Sequence, residues 1–284
     1  MKLAELQVEI RPRSHGQTVA IAARMLQHRP GPLLVAWIFY SLATIALAAV
    51  ILLVLEWHPF WAWLLTPILA PVFSSPLVTT LGHLVFTPKV TFGLVAGETL
   101  RRLPAFVLLF LVNRLISVAG LCGLVVPGLY LWRASWFLGP IVLLEGSPLG
   151  ASFRRGRRFA AGFQGHVAGH AFNSAVLLLY LGIAAASLGH FLITKVFGLT
   201  FAAIANLTVL DSYPHLLGLG AFALCAPFVT LVWFFVYLDV RTRKEGWDLE
   251  LAFRARSAEL GGGRRIHSAG GGRQGHPERE HVRA

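Results

Sequence analysis

Few residues in this 284-residue chain combine a reactive type with a setting that chemistry could use. Two arginines, Arg114 (beside Asn113) and Arg133, lie inside long uncharged apolar stretches. A guanidinium taken out of water demands an anion or a ring of carbonyls, so both are candidates for holding a lipid headgroup or a substrate phosphate. The alternatives are internal pairing for Arg114 and a side chain reaching back to the aqueous boundary for Arg133. His166 and His170 are one helical turn apart, with Asn173 and His190 further on. That spacing suits a metal, but Val167 stands where a zinc-protease helix carries its glutamate and no further ligands are in sight, so no metal is expected. Glu145 and Asp239 each sit where an apolar stretch gives way to a basic one, before Arg154–Arg158 and Arg241–Lys244. They are expected to form structural ion pairs at an interface. Walker loops, nucleophile elbows and carboxylate clusters are missing from the sequence, which points away from an enzyme and from a resident cofactor. Cys122 and Cys225 lie in apolar stretches and are expected to behave as small buried hydrophobes.

The elements that would carry these residues are transmembrane helices. Hydrophobic residues make up 56% of the chain, charged ones only 13%, and mean hydropathy is +0.65. The apolar residues come in blocks long enough to cross a bilayer. Six spans are expected: 33–55, 60–86, 103–126, 128–144, 166–193 and 215–238. Pro67, Pro71 and Pro76 must kink or break the second, because each removes a backbone donor. Val126-Pro127-Gly128 makes a tight turn between the third and fourth. The block 196–210 is short and reads as interfacial or re-entrant. Ser14 and Gln17 have capping-box spacing, so a short helix should start there, lie apolar face down on the membrane surface and end at Pro30 and Pro32. Short helices are also expected around 91–102 and 245–260.

Charge placement orients the bundle. With the N-terminus in the cytoplasm, residues 1–32 carry five Lys and Arg, 87–102 three, 145–166 four and 239–284 ten, leaving Lys195 alone outside. This asymmetry favours an even number of spans with both ends cytoplasmic. The domain reading is therefore a cytoplasmic segment over 1–32, a six-span domain over 33–238, a cytoplasmic helix over 239–260 and a disordered basic tail over 261–284. The net charge of +12 flanks the spans, so its expected partners are anionic lipids and other inner-membrane proteins, with no nucleic acid.

Three stretches carry a resemblance. Val126-Pro127-Gly128-Leu129-Tyr130, then Arg133, then Pro140 through Glu145-Gly146 and the basic segment, resemble the membrane domain attached to some bacterial glycerophosphodiester phosphodiesterases. The closing run from Tyr237 through Asp239, Arg241, Arg243, Glu245, Asp248 and Glu250, with the opening Ile10-Arg11-Pro12-Arg13-Ser14, is similar to stand-alone six-helix inner-membrane proteins of bacteria. The resemblance spans about residues 8–257. It implies an all-α polytopic bundle in the inner membrane and assigns no reaction, since the phosphodiesterase activity of the fused relatives belongs to a soluble barrel. It also makes the closing acidic and basic residues a candidate interface motif that docks the C-terminal helix. A structural or accessory component of a membrane complex is the leading expectation. The alternative is a transporter or lipid-handling protein that uses the broken second span and Arg114.

Overall fold

A computed structural model of the protein describes residues 14–86, 90–123, 135–162, 164–196 and 213–245. Ser14 opens the first helix, α1 (His15–His28), with both bonds of a capping box: its Oγ accepts from Gln17 N–H and its own N–H donates to Gln17 Oε1 at 3.1 Å. Arg29 ends α1. Pro30, expected to act as a terminator, is the first residue of α2 (Pro30–Ala49), where a missing N–H costs nothing. The helix continues through Val54 in a wider turn, with Leu55 N–H bonding Val50 O at 2.9 Å.

The second span is broken, as its prolines require. α3 (Pro59–Phe73) stops at Ser74 and α4 (Ser75–Phe86) begins at once. Hydroxyls take over the carbonyls freed there: Ser74 Oγ donates to Pro71 O at 2.6 Å and Ser75 Oγ to Val72 O at 3.0 Å. Pro227 is treated the same way inside the last helix. The carbonyl four residues before it, Ala223 O, accepts from Ser41 Oγ at 3.0 Å, and Leu224 O next to it accepts from the Trp37 indole at 3.0 Å. Away from water a freed carbonyl must find such a partner, so these prolines also bind α2 to its neighbour.

The remaining elements are α5 (Phe92–Gly123), α6 (Leu138–Glu145), α7 (Leu149–Gly162), α8 (Gln164–Phe191, extended by a wide turn to Val196) and α9 (Tyr213–Glu245). No strand occurs among the described residues. The short helix expected around 91–102 and the third span are one continuous α5. The expected basic loop after Glu145 is helical as α7, where Phe153 and Phe159 turn inward while Arg154, Arg157 and Arg158 stay exposed. Helix α9 likewise does not stop at Asp239. α1 also differs from expectation: it buries Thr18, Ala22 and Met25 against α9 and α2, so its small-residue face meets protein and not the bilayer. The Val126–Gly128 turn, residues 128–134 of the expected fourth span, the block from 197 to 210, residues 246–260 and the tail lie outside the described residues.

α9 is the central post, packed against α1, α2, α3, α4, α7 and α8. Its Leu231, Phe234, Phe235 and Tyr237 join Leu77 and Leu81 of α4, Phe106 and Phe110 of α5 and Leu138 and Ile141 of α6 in one buried core. Close approach sets two contacts: a Cβ at Gly218 would stand 2.8 Å from the Trp63 ring, and one at Gly82 would collide with Leu144. Outside this core the surface is greasy. Ile38, Phe39 and Leu42 of α2, Leu111 and Leu115 of α5 and Phe172, Leu179 and Tyr180 of α8 all face outward. Five helices, Pro30–Val54, Pro59–Val85, Phe92–Gly120, Val167–Val196 and Pro214–Arg243, are long and apolar enough to cross a membrane. An apolar exterior around a packed interior is stable in lipid and not in water, and the chain is a multi-pass membrane protein of all-α class.

Candidate functional site

One feature with the character of a binding site is a cavity of about 730 Å³ between α2, the α3–α4 break and the first turns of α5. Its volume is within the roughly 300–1,000 Å³ range of ligand pockets. Val35 and Phe39 of α2, Val72 and Phe73 before the break, and Val95 and Leu103 of α5 supply much of its apolar lining. The break creates the space. The space lies between the junction where α3 ends and α4 begins and Gly31 and Pro32 at the start of α2. Among the described lining residues the polar side chains are the hydroxyls of Ser75, Thr80 and Thr99, and none is charged. Thr80 Oγ1 is committed to Pro76 O at 2.7 Å. Thr99 is 6% exposed and its Oγ1 has no hydrogen-bond partner among the described residues.

The pocket includes the broken span but not Arg114. That arginine is deeper along α5, 9% exposed, with its guanidinium carbon 5.0 Å from the Phe110 ring centre. Beside it Asn113 is 1% exposed, and neither amide atom has a partner among the described residues, although Ser117 Oγ donates to the Asn113 carbonyl at 2.7 Å. Arg133 lies outside the described residues.

A second constellation gathers around Glu145, the last residue of α6. Its Oε2 pairs with Arg155 Nε of α7 at 2.8 Å, and its Oε1 accepts from Tyr237 Oη of α9 at 2.5 Å and sits 3.6 Å from Arg241 Nη1. Arg241 also donates to Tyr237 Oη at 3.2 Å. Arg102 of α5 donates to Leu143 O and covers Gly146, whose φ of +61° ends α6 in the left-handed region. Four elements thus meet at the end of α6, where cations are also favoured by the helix dipole. The expected pairing of Glu145 with the basic segment is present through Arg155. Tyr237 was not legible as a member, because a tyrosine in an aromatic run looks like core. Asp239 is buried and pairs with Arg243 one turn on at 2.9 Å, while Arg241 reaches Glu145 and Tyr237. The side chain of Glu245, together with Asp248 and Glu250, lies outside the described residues.

The histidines divide. His170 is buried and its Nδ1 is 2.8 Å from Nδ1 of His15, so one ring donates and the other accepts. Burial pushes the His15 imidazole below its ordinary value. His190 is exposed, and the His166 side chain lies outside the described residues. No group of three or more His, Cys, Asp or Glu side chains converges on a point among the described residues. The cysteine expectation fails in part: Cys122 is exposed on α5 and Cys225 is half-buried. In an outer shell facing lipid, a small thiol needs no burial in protein.

No family model matches the chain, and neither a curated protein nor a solved structure matches it.

Proposed function

We propose that this chain is a lipid-handling protein of the bacterial inner membrane that holds an acyl chain between α2, the α3–α4 break and α5. The observation that carries this reading is the apolar cavity at the proline break. It is roomy, uncharged and built from spans, so the apolar tails of the bilayer are the ligands at hand. The apolar character of its described lining favours a lipid tail over an ion or a polar metabolite as occupant. The reading includes no reaction and no resident cofactor.

Six crossings with both termini in the cytoplasm belong to the same proposal. Two features support it. α5 rises about 32 Å from Arg102 to Gly123, yet the next described helix, α6, ends back beside Arg102. A return across the bundle between 123 and 145 accounts for that placement and adds a sixth crossing to the five helices of span length among the described residues. The basic residues Arg102, Arg155, Arg241 and Arg243 then share one end of the bundle, as the positive-inside rule expects of the cytoplasmic face. The resemblance to stand-alone six-helix inner-membrane proteins is in keeping with this topology.

A structural or accessory role is the second reading, and α8 favours it. None of its most apolar window is buried, and it leans mainly on α9, leaving Phe172, Val176, Leu179 and Ile183 outward. That face suits another inner-membrane protein as well as it suits lipid.

The lipid reading is tested by filling the cavity. Ala96→Trp and Val35→Trp place an indole in the space without touching the buried core. Lipid extracted from each purified variant and measured per mole of protein should fall below the parent's, with thermal unfolding unchanged. Equal lipid in parent and variants removes the proposal.

A further inference from the structure

Building on the acyl-chain reading, we infer that the ligand is an ester-linked glycerolipid whose carbonyl accepts a hydrogen bond from the Thr99 hydroxyl. The inference starts from how hydroxyls behave elsewhere in the bundle. Thr44, Thr79, Thr80, Ser117, Thr230 and Thr242 each return a hydrogen bond to the carbonyl four residues back, at 2.7–3.1 Å. This is the ordinary way a helix in an apolar setting disposes of a hydroxyl. Thr99 has the same opportunity toward Val95 O and does not take it. It lines the cavity, is more than nine-tenths buried and has no partner among the described residues. A buried hydroxyl left in that state is costly, and a ligand carbonyl would remove the cost.

Depth selects the kind of carbonyl. The uncharged run of α5 starts at Leu103, just after Arg101 and Arg102, so Thr99 stands about 6 Å outside the start of that run. The interfacial layer on each side of the hydrocarbon is about 5–8 Å thick, and the ester groups of glycerolipids belong to it. From that level the cavity extends past Leu103 and alongside the break at Phe73 and Ser75, which accommodates the tail beyond the ester. Among the described residues the rest of the wall offers the tail apolar contact and two hydroxyls, Ser75 and Thr80, already committed to main-chain carbonyls, so Thr99 is what distinguishes an acyl ester from an alkyl ether of equal length. Ser75 does not compete, since its hydroxyl is held by Val72 O.

The test uses the full chain in detergent, with dioleoyl phosphatidylglycerol and its ether-linked analogue as probes and native mass spectrometry as the readout. The parent and Thr99→Ser should retain the ester over the ether by roughly three- to tenfold, the worth of one hydrogen bond. Thr99→Val, matched in shape, should hold both lipids equally at the ether level. No preference in the parent, or a preference that survives in Thr99→Val, overturns the role of Thr99 and leaves the cavity reading standing. Ala96→Trp reports on that reading separately: it should lose both lipids, and undiminished retention of both would remove the cavity reading and this inference with it.

Discussion

Glu145 shows how much one carboxylate can organise when it is drawn away from water. It is 12% exposed and serves two arginines and a tyrosine from α7 and α9. Removing it would leave Arg155, Arg241 and the Tyr237 hydroxyl partly buried around a gap. Breaking a buried pair from one side costs about 3–5 kcal/mol, because the surviving charge stays desolvated. Glu145→Ala is therefore expected to lower the thermal unfolding temperature in detergent more than Tyr237→Phe, which loses the hydrogen bonds to Glu145 and from Arg241 but leaves both ion pairs of Glu145 in place. Equal and small shifts for the two variants would show that the cluster is solvated and loose. Asp239, by contrast, is bridged to Arg243 one turn further along the same helix, α9.

At the scale of elements, α1 is held by its apolar face and by one histidine pair. Thr18, Ala22 and Met25 are buried, Val19, Ile21 and Leu26 pack beside them on the core, and the His15–His170 contact adds a polar tie to α8. A bond between two Nδ1 atoms survives with both rings neutral or with one proton added, and fails when both rings are cationic. Burial lowers the affinity of His15 for a proton. A histidine whose folded-state value lies below its unfolded one stabilises fully above the unfolded value of about 6.5 and loses that contribution as pH falls below it. Hydrogen exchange of the α1 amides should accordingly quicken between pH 7.5 and pH 5, and His15→Phe should flatten that dependence. A pH-independent exchange rate in the parent would mean that the imidazole pair does not hold α1. The α3–α4 break works at this scale too: Pro67, Pro71 and Pro76 displace the chain axis, while Ser74 and Ser75 make the displacement tolerable in lipid by closing the freed carbonyls.

For the molecule as a whole, the arrangement is a greasy shell around a post, α9, with basic residues gathered at one end. Reporter fusions placed after Glu245 and within the Glu56–His58 turn should give opposite compartments, the first cytoplasmic and the second periplasmic. The same compartment for both would overturn the proposed six crossings, which place five of them between the two sites. A Trp cluster at 57, 61 and 63, half-exposed in the structure, marks the end opposite the basic one and fits an interfacial belt.

Composition and block length alone established that the chain is helical and crosses a membrane, because runs of apolar residues longer than a bilayer core leave no other stable state. The capping box at Ser14 and Gln17, the broken second span and the pairing of Glu145 with the basic segment were also legible, each depending on residues near in sequence. What remained hidden needed distant elements to meet. Thr99 is an ordinary residue of α5 until α2 and the α3–α4 break enclose it, and Tyr237 is one aromatic among several until α6 delivers Glu145 to its hydroxyl. The docking of α1 depends on His170, 155 residues away. Local pattern records the solvent each segment prefers. Which face meets which, and where a gap is left between them, is decided only when the spans pack.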